Sequence, residues 1–210
     1  MMSGKKNVLV LAAILLAIGC SNPESEVFHD DYYYSDRDVK FQLQPSSDEY
    51  YLVVKTAMVE SAVAELQSKG VEITEGLAGC EFYHELFAVP EELTGCSSIC
   101  VKGACALERV NVDFIYSNCL YYGENGILCG KSNQFYVRYD PSDEAGQLKR
   151  IETYANQHHV HPLAVFSDLA VIILACTDDS AGNPVEMANW FVETAGFPMA
   201  QPEYSSVSLD

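Results

Sequence analysis

Apolar residues in this chain recur with a period of two over some stretches and of three to four over others, and the switches between them outline a fold. Val39, Phe41 and Leu43 alternate with polar neighbours, a strand signal. A polar turn from Pro45 to Glu49 leads to a second strand, Tyr51–Lys55. Val59, Ala62, Val63 and Leu66 then share one face of a helix, with Thr56 as the expected N-cap and Gly70 as the C-cap. Val71–Ile73 and Phe82–Val89 read as strands, so the first half runs strand, strand, helix, strand, strand. Residues 90–110 look irregular. A hairpin is expected from Val112 to Tyr122, turning at Gly123–Glu124–Asn125–Gly126 and returning from Ile127, with the return strand continuing through Lys131 to Tyr139.

The last third carries the clearest pattern. Phe135, Val137 and Tyr139 alternate with Gln134, Tyr136 and Arg138, as a half-buried strand should. Ser142 opens a helix bearing Ala145, Leu148, Ile151 and Ala155 on one face. Val160–Phe166 and the almost wholly apolar Leu169–Cys176 are strands, the second suited to the middle of a sheet. Asn183-Pro184-Val185-Glu186 combines an N-cap, a proline at the first helical position and an acid at the third. Met187, Ala188, Phe191 and Ala195 form the inner face of that helix, Gly196 ends it, and Phe197–Gln201 closes with a strand. A β-α-β-β-α-β series over about 70 residues predicts an α+β fold. The expected arrangement is a ferredoxin-like sandwich, with two helices on one face of an antiparallel sheet. The expected organisation is a β-rich domain with one helix over 32–131, the ferredoxin-like domain over 132–204 and a tail over 205–210.

The N-terminus follows a different rule. Lys5-Lys6 precede an apolar run from Val8 to Ile18, and Ala17-Ile18-Gly19-Cys20 follows. Eleven residues of helix span about 17 Å, roughly half a bilayer core, so the run reads as a signal segment rather than a membrane span. Gly19 before Cys20 resembles a bacterial lipobox, although Ala17 stands where leucine is commoner. Cleavage after residue 19 and lipidation of Cys20 are therefore expected, with residues 20–31 as a flexible tether. Ser21 fits sorting to the outer membrane, and the acids beyond it faintly resemble a surface-export signal. The expected location is the bacterial cell envelope. Composition is globular, 49% hydrophobic and 20% charged, with a formal net charge of −18. Losing Lys5 and Lys6 with the leader deepens the acidity, which argues against nucleic acid as a partner.

Three stretches carry a family resemblance. One is Tyr32-Tyr33-Tyr34 followed by Val39-Lys40-Phe41-Gln42-Leu43; another is Asn133-Gln134-Phe135-Tyr136-Val137. The third joins Met187-Ala188-Asn189-Trp190-Phe191 to Ala200-Gln201-Pro202-Glu203-Tyr204. Together they resemble the N-terminal, prodomain-like region of Bacteroidetes subtilisin-like serine peptidases. The Asp-(Thr/Ser)-Gly, His-Gly-Thr and Gly-Thr-Ser-Met-Ala motifs that carry a subtilase triad are missing, so no peptidase activity and no cofactor are expected. What the resemblance implies is a module that binds, inhibits or chaperones a subtilisin-like protease in trans. The segment after the last strand, Tyr204, Ser205, Ser206, Val207, Ser208, Leu209 and Asp210, would lie along the substrate subsites by strand addition. A surface lipoprotein with a general interaction role, its contact area supplied by tyrosines such as Tyr116, Tyr121 and Tyr122, is the alternative. A remnant of a split subtilase gene is another.

Two further clusters raise chemical questions. His158, His159 and His161 could bind zinc or copper, but no cysteine or carboxylate stands at matching spacing, and histidines suit a helix C-terminus. No metal site is expected. Seven cysteines remain besides Cys20, at 80, 96, 100, 105, 119, 129 and 176. An exported chain can form disulfides. Cys119 and Cys129 flank the hairpin turn and form the best candidate pair, Cys80, Cys96, Cys100 and Cys105 could staple the irregular segment, and Cys176 reads as a free buried thiol.

Overall fold

A computed structural model describes residues 26–36, 39–79, 95–123, 127–129 and 132–206. Among them the order is β1 (Tyr32–Asp36), β2 (Val39–Lys55), α1 (Val59–Ser68), β3 (Glu72–Gly79), β4 (Cys96–Lys102), α2 (Ala104–Leu107), β5 (Tyr116–Gly123) and β6 (Ile127–Cys129). Then follow β7 (Gln134–Arg138), α3 (Glu144–Gln157), β8 (His161–Phe166), β9 (Val171–Ala175), α4 (Pro184–Glu193), β10 (Met199–Pro202) and β11 (Tyr204–Ser206). The fold is mixed α and β, built on antiparallel sheets.

The strand orders show a repetition that the sequence hid. β7-α3-β8-β9-α4-β10 forms a four-stranded sheet in the order β10-β7-β9-β8, that is, fourth, first, third, second. β2-α1-β3-β4-α2-β5 gives β5-β2-β4-β3, the same order, with every neighbouring pair antiparallel. The chain is thus two successive β-α-β-β-α-β units. The first has been enlarged to seven strands by β1, which pairs with β2, and by β6 and β11 outside β5.

Several boundaries differ from expectation for identifiable reasons. The two strands predicted around Pro45–Glu49 are one 17-residue strand, β2. The polar stretch survives within it as a break in the β5 register between Pro45 and Tyr50. Ser46 Oγ accepts there from the amides of Asp48 and Glu49, a local turn absorbed without ending the strand. Thr56 does not cap α1: it opens a 3₁₀ turn, and its hydroxyl hydrogen-bonds that of Ser97. Gly70, at φ +84°, does end the helix, in a conformation only glycine adopts cheaply. Cys96 and Cys100, expected in an irregular segment, lie on β4 between β2 and β3. The predicted strand over Phe82–Val89 lies outside the described residues. The predicted run from Ile127 to Tyr139 is not one strand, because β6 belongs to the first sheet and β7 to the second.

The C-terminal unit matches its pattern closely. Asp143 accepts from the Gly146 amide at the start of α3. Asn183 caps α4 through the amides of Val185 and Glu186, while the Glu186 carboxylate accepts from the Asn183 amide, a complete capping box.

Packing joins the units. One face of the first sheet (Leu52, Val54, Ile99, Val101) is covered by Val59, Ala62 and Leu66 of α1. The other face supplies Tyr51, Val53, Cys96, Cys100, Tyr116 and Leu120 to the core that holds Phe135, Val137, Ile151, Leu174 and Phe191. Where the second half of β2 pairs with β4, the first sheet is therefore buried on both faces, and Leu52, Val53 and Val54 have no exposed surface.

Candidate functional site

The candidate residues gather at α4 and at β11. α4 is buried from Pro184 to Phe191 except at Glu186, on more than one side. Phe191 packs on Phe135 of its own sheet, with ring centroids 5.6 Å apart. Val185 faces the other way, into a small cluster with Tyr33, Leu43 and Tyr121. Asn189, fully buried, donates from Nδ2 to the carbonyls of His29 (2.8 Å) and Tyr32 (2.7 Å). One turn later Glu193 Oε1 accepts from Tyr32 Oη (2.5 Å), Tyr34 Oη (2.6 Å) and Lys40 Nζ (3.0 Å). Lys40 Nζ also sits 3.7 Å from the Tyr32 ring centroid, a cation–π contact. Burial and the hydrogen bond to Glu193 push the Tyr32 phenol up to about 12. The Glu193 carboxyl is raised by its own burial, but bonds from both tyrosines and Lys40 outweigh that and hold it below its ordinary value.

These contacts tie the N-terminal segment to the body. The Asp31 carbonyl accepts from the Leu43 amide, Asp30 accepts from Tyr121 Oη, and Phe28 stands edge-on to His158. Residues 28–31, expected at the end of a flexible tether, are therefore docked, because α4 offers an amide and a carboxylate that their backbone and the following tyrosines satisfy. Cys20 and the leader lie outside the described residues. Among the described residues no helix is long and apolar enough to cross a membrane.

The three histidines separate. His158, at the C-terminus of α3, is buried, its ring centroid 4.1 Å from that of Trp190 and its Nδ1 3.7 Å from Glu26. Burial lowers its pKa against the opposing pull of Glu26. His159 and His161 instead line a cleft with Phe114, Ile115, Thr177, Asp178 and Asp179. Asp178 is the structural member of that cleft: its amide donates to the Ile115 carbonyl and its carboxylate accepts from the Ser117 amide, so it continues the outer edge of β5. Burial raises its carboxyl. Among the described residues no group of three or more His, Cys, Asp or Glu is placed to hold a metal ion.

The tail candidates divide at residue 206. Tyr204, Ser205 and Ser206 form β11, antiparallel to β6 in the register Tyr204↔Cys129, Ser205↔Leu128, Ser206↔Ile127. The Glu203 amide donates to the Gln134 carbonyl, pinning the corner between β10 and β11. Val207, Ser208, Leu209 and Asp210 lie outside the described residues. Cys119 is a free thiol, raised by burial, and the expected pair with Cys129 does not form. Register explains why: Cys129 stands opposite Tyr121, while Cys119 is two residues along and opposite Tyr50. Cys176 is a fully buried free thiol, as expected. Cys80 lies outside the described residues.

Sequence reasoning missed Asn189, Glu193, Lys40 and Asp178. Only Asn189 left a usable signal. It is a polar residue inside Met187-Ala188-Asn189-Trp190-Phe191, where burial demands a hydrogen-bond partner. No family model matches this chain, and no curated protein does.

Proposed function

We propose that this chain is a binding protein rather than an enzyme. In this reading it is a lipoprotein, acylated at Cys20, that carries a subtilase prodomain-like module acting on a subtilisin-like protease in trans. The observation that carries it is β11: β10 turns at Glu203 into a strand whose outer edge pairs with no other strand among the described residues, the kind of edge that main-chain recognition uses. The ferredoxin-like reading of the C-terminal unit is supported by its fourth-first-third-second strand order and by α3 and α4 sharing one core. The N-terminal unit has the same order, which extends that reading to both halves. Lipid at Cys20 would confine the module to a membrane surface and raise its effective concentration against a partner on the same surface.

The test is inhibition of a subtilase from the same genome by the purified protein without residues 1–19. Saturable inhibition that weakens at least tenfold when residues 205–210 are removed is expected. Failure of the intact protein to inhibit or to assist refolding would overturn the proposal. The anchor is tested separately: radiolabelled palmitate should enter the wild type and not Cys20→Ala.

A further inference from the structure

We infer that β11 is an exchangeable strand, held on β6 in the free protein and transferred to a backbone strand of the peptidase cleft on binding. The inference rests on the proposed function and adds a regulated step to it. A segment lying in a cleft between backbone strands presents hydrogen-bonding groups along both its edges, because successive residues in an extended chain direct theirs to opposite sides. In the structure one edge of Tyr204–Ser206 is already occupied by β6. The tail therefore cannot be fully engaged by a cleft while it remains in its own sheet.

The local architecture favours release of this strand over the other described ones. β11 pairs over three positions, and β6 is joined to β5 over only two, Tyr121↔Cys129 and Tyr122↔Leu128. β2 and β4, by contrast, pair over seven. Short strands at a sheet edge open at the low end of a protein's stability range. The Glu203 amide bond to Gln134 lies on the near side of β11, so β10 and its sheet keep their pairing when β11 swings away. Transfer also conserves hydrogen bonds, since the groups released from β6 are satisfied again in the cleft. In the free protein the docked strand covers the edge of β6, which would otherwise be a template for pairing between chains.

The register supplies the experiment. Tyr204 is directly opposite the native Cys129, so Tyr204→Cys places two cysteines across β11 and β6; Ile127→Cys with Ser206→Cys is a second lock. Each variant is compared with itself, oxidised and reduced, after mass spectrometry has established the cross-link. The oxidised form is expected to inhibit at least tenfold more weakly than the reduced form. Equal inhibition by both forms would overturn strand exchange and leave the proposed function standing. Absence of inhibition by the wild type would instead sink the proposed function, and the exchange with it. Where neither lock closes, amide exchange is measured on the unmodified protein, alone and with a subtilase whose nucleophilic serine is replaced. Faster exchange at Ile127–Cys129 with slower exchange at Tyr204–Ser206 is expected on binding. Unchanged exchange at both would overturn the inference.

Discussion

The two units share a strand order and differ in how they hold it. The C-terminal unit has helices of 14 and 10 residues, both with side-chain caps at their N-termini, on a four-stranded sheet. The N-terminal unit has helices of 10 and 4 residues, neither capped by a side chain, on a sheet of seven strands. In the first case local signals and helix packing do much of the stabilising. In the second, stability comes from strands recruited from elsewhere, including β11 from the far end of the chain, and from burial of the sheet on both faces. One topology can thus be specified locally or by long-range pairing, and the second route makes a unit dependent on its neighbour.

The severest way to break this comparison is to separate the units. A fragment of residues 26–131 lacks β11 and the core residues that cover Tyr51, Val53 and Tyr116, so it should fail to fold, seen as loss of a cooperative urea transition in far-ultraviolet circular dichroism. A fragment of residues 132–204 should retain helix, although Val185 and Asn189 lose their cover. A fully cooperative N-terminal fragment would refute the dependence.

Within the intact chain, Phe191→Ala should cost about 3–5 kcal/mol, because the ring is fully buried in the core that both units share. Leu66→Ala, in the separate cluster under α1, should cost about 2–5 kcal/mol. If the units are one cooperative body, both variants lower a single denaturation midpoint, read alike by Trp190 fluorescence and by circular dichroism. Two separated transitions would show that the shared core does not couple them.

The same contrast explains what could be read from sequence. In the C-terminal unit the elements announced themselves, since β7 alternates, α3 has one buried face and both helices carry their own caps. β4 did not, because Cys-Ser-Ser-Ile-Cys-Val is buried on both sides, shows no polar alternation, and has only Ile99 and Val101 of the usual strand-forming residues. α2, a single turn, leaves no periodicity to detect. The shared strand order was invisible for the same reason: the N-terminal unit has the order of the C-terminal one without the pattern that would reveal it. The junction was less legible still. Glu193 lies more than 150 residues from Tyr32 and Lys40, and nothing in the pattern around it names these partners.

That junction gives the next prediction. Asn189→Ala removes both bonds that hold the carbonyls of His29 and Tyr32, and should cost about 1–3 kcal/mol. It should also open residues 28–34 to limited proteolysis before any other described segment. Loss of stability without earlier cleavage there would mean that Asn189 supports only its own helix. Cap substitutions sharpen the contrast on a smaller scale. Asn183→Ala should cost about 1 kcal/mol. Thr56→Ala removes no cap and loses only the bond to Ser97, so its effect on the same urea midpoint should be smaller.

The smallest expected effect comes from His158, where the docked N-terminal segment meets the C-terminal unit. Burial against Trp190 and Phe28 favours the neutral ring, and neighbouring His159 adds slightly, while Glu26 at 3.7 Å opposes both. The folded-state pKa lies below the ordinary value of 6.5. The unfolded chain therefore takes up a proton first as pH falls, and this part of the stability is present above about pH 6.5 and lost as pH drops through the folded pKa. His158→Gln should flatten the stability profile in that window, leaving the carboxylate-dependent part at lower pH. Glu26→Gln should steepen it, because the described carboxylate that favours the charged ring is gone. If Glu26→Gln left the slope unchanged, the contact between the N-terminal segment and His158 would carry no electrostatic weight, and the dependence between the units would rest on packing and the Asn189 and Glu193 bonds alone.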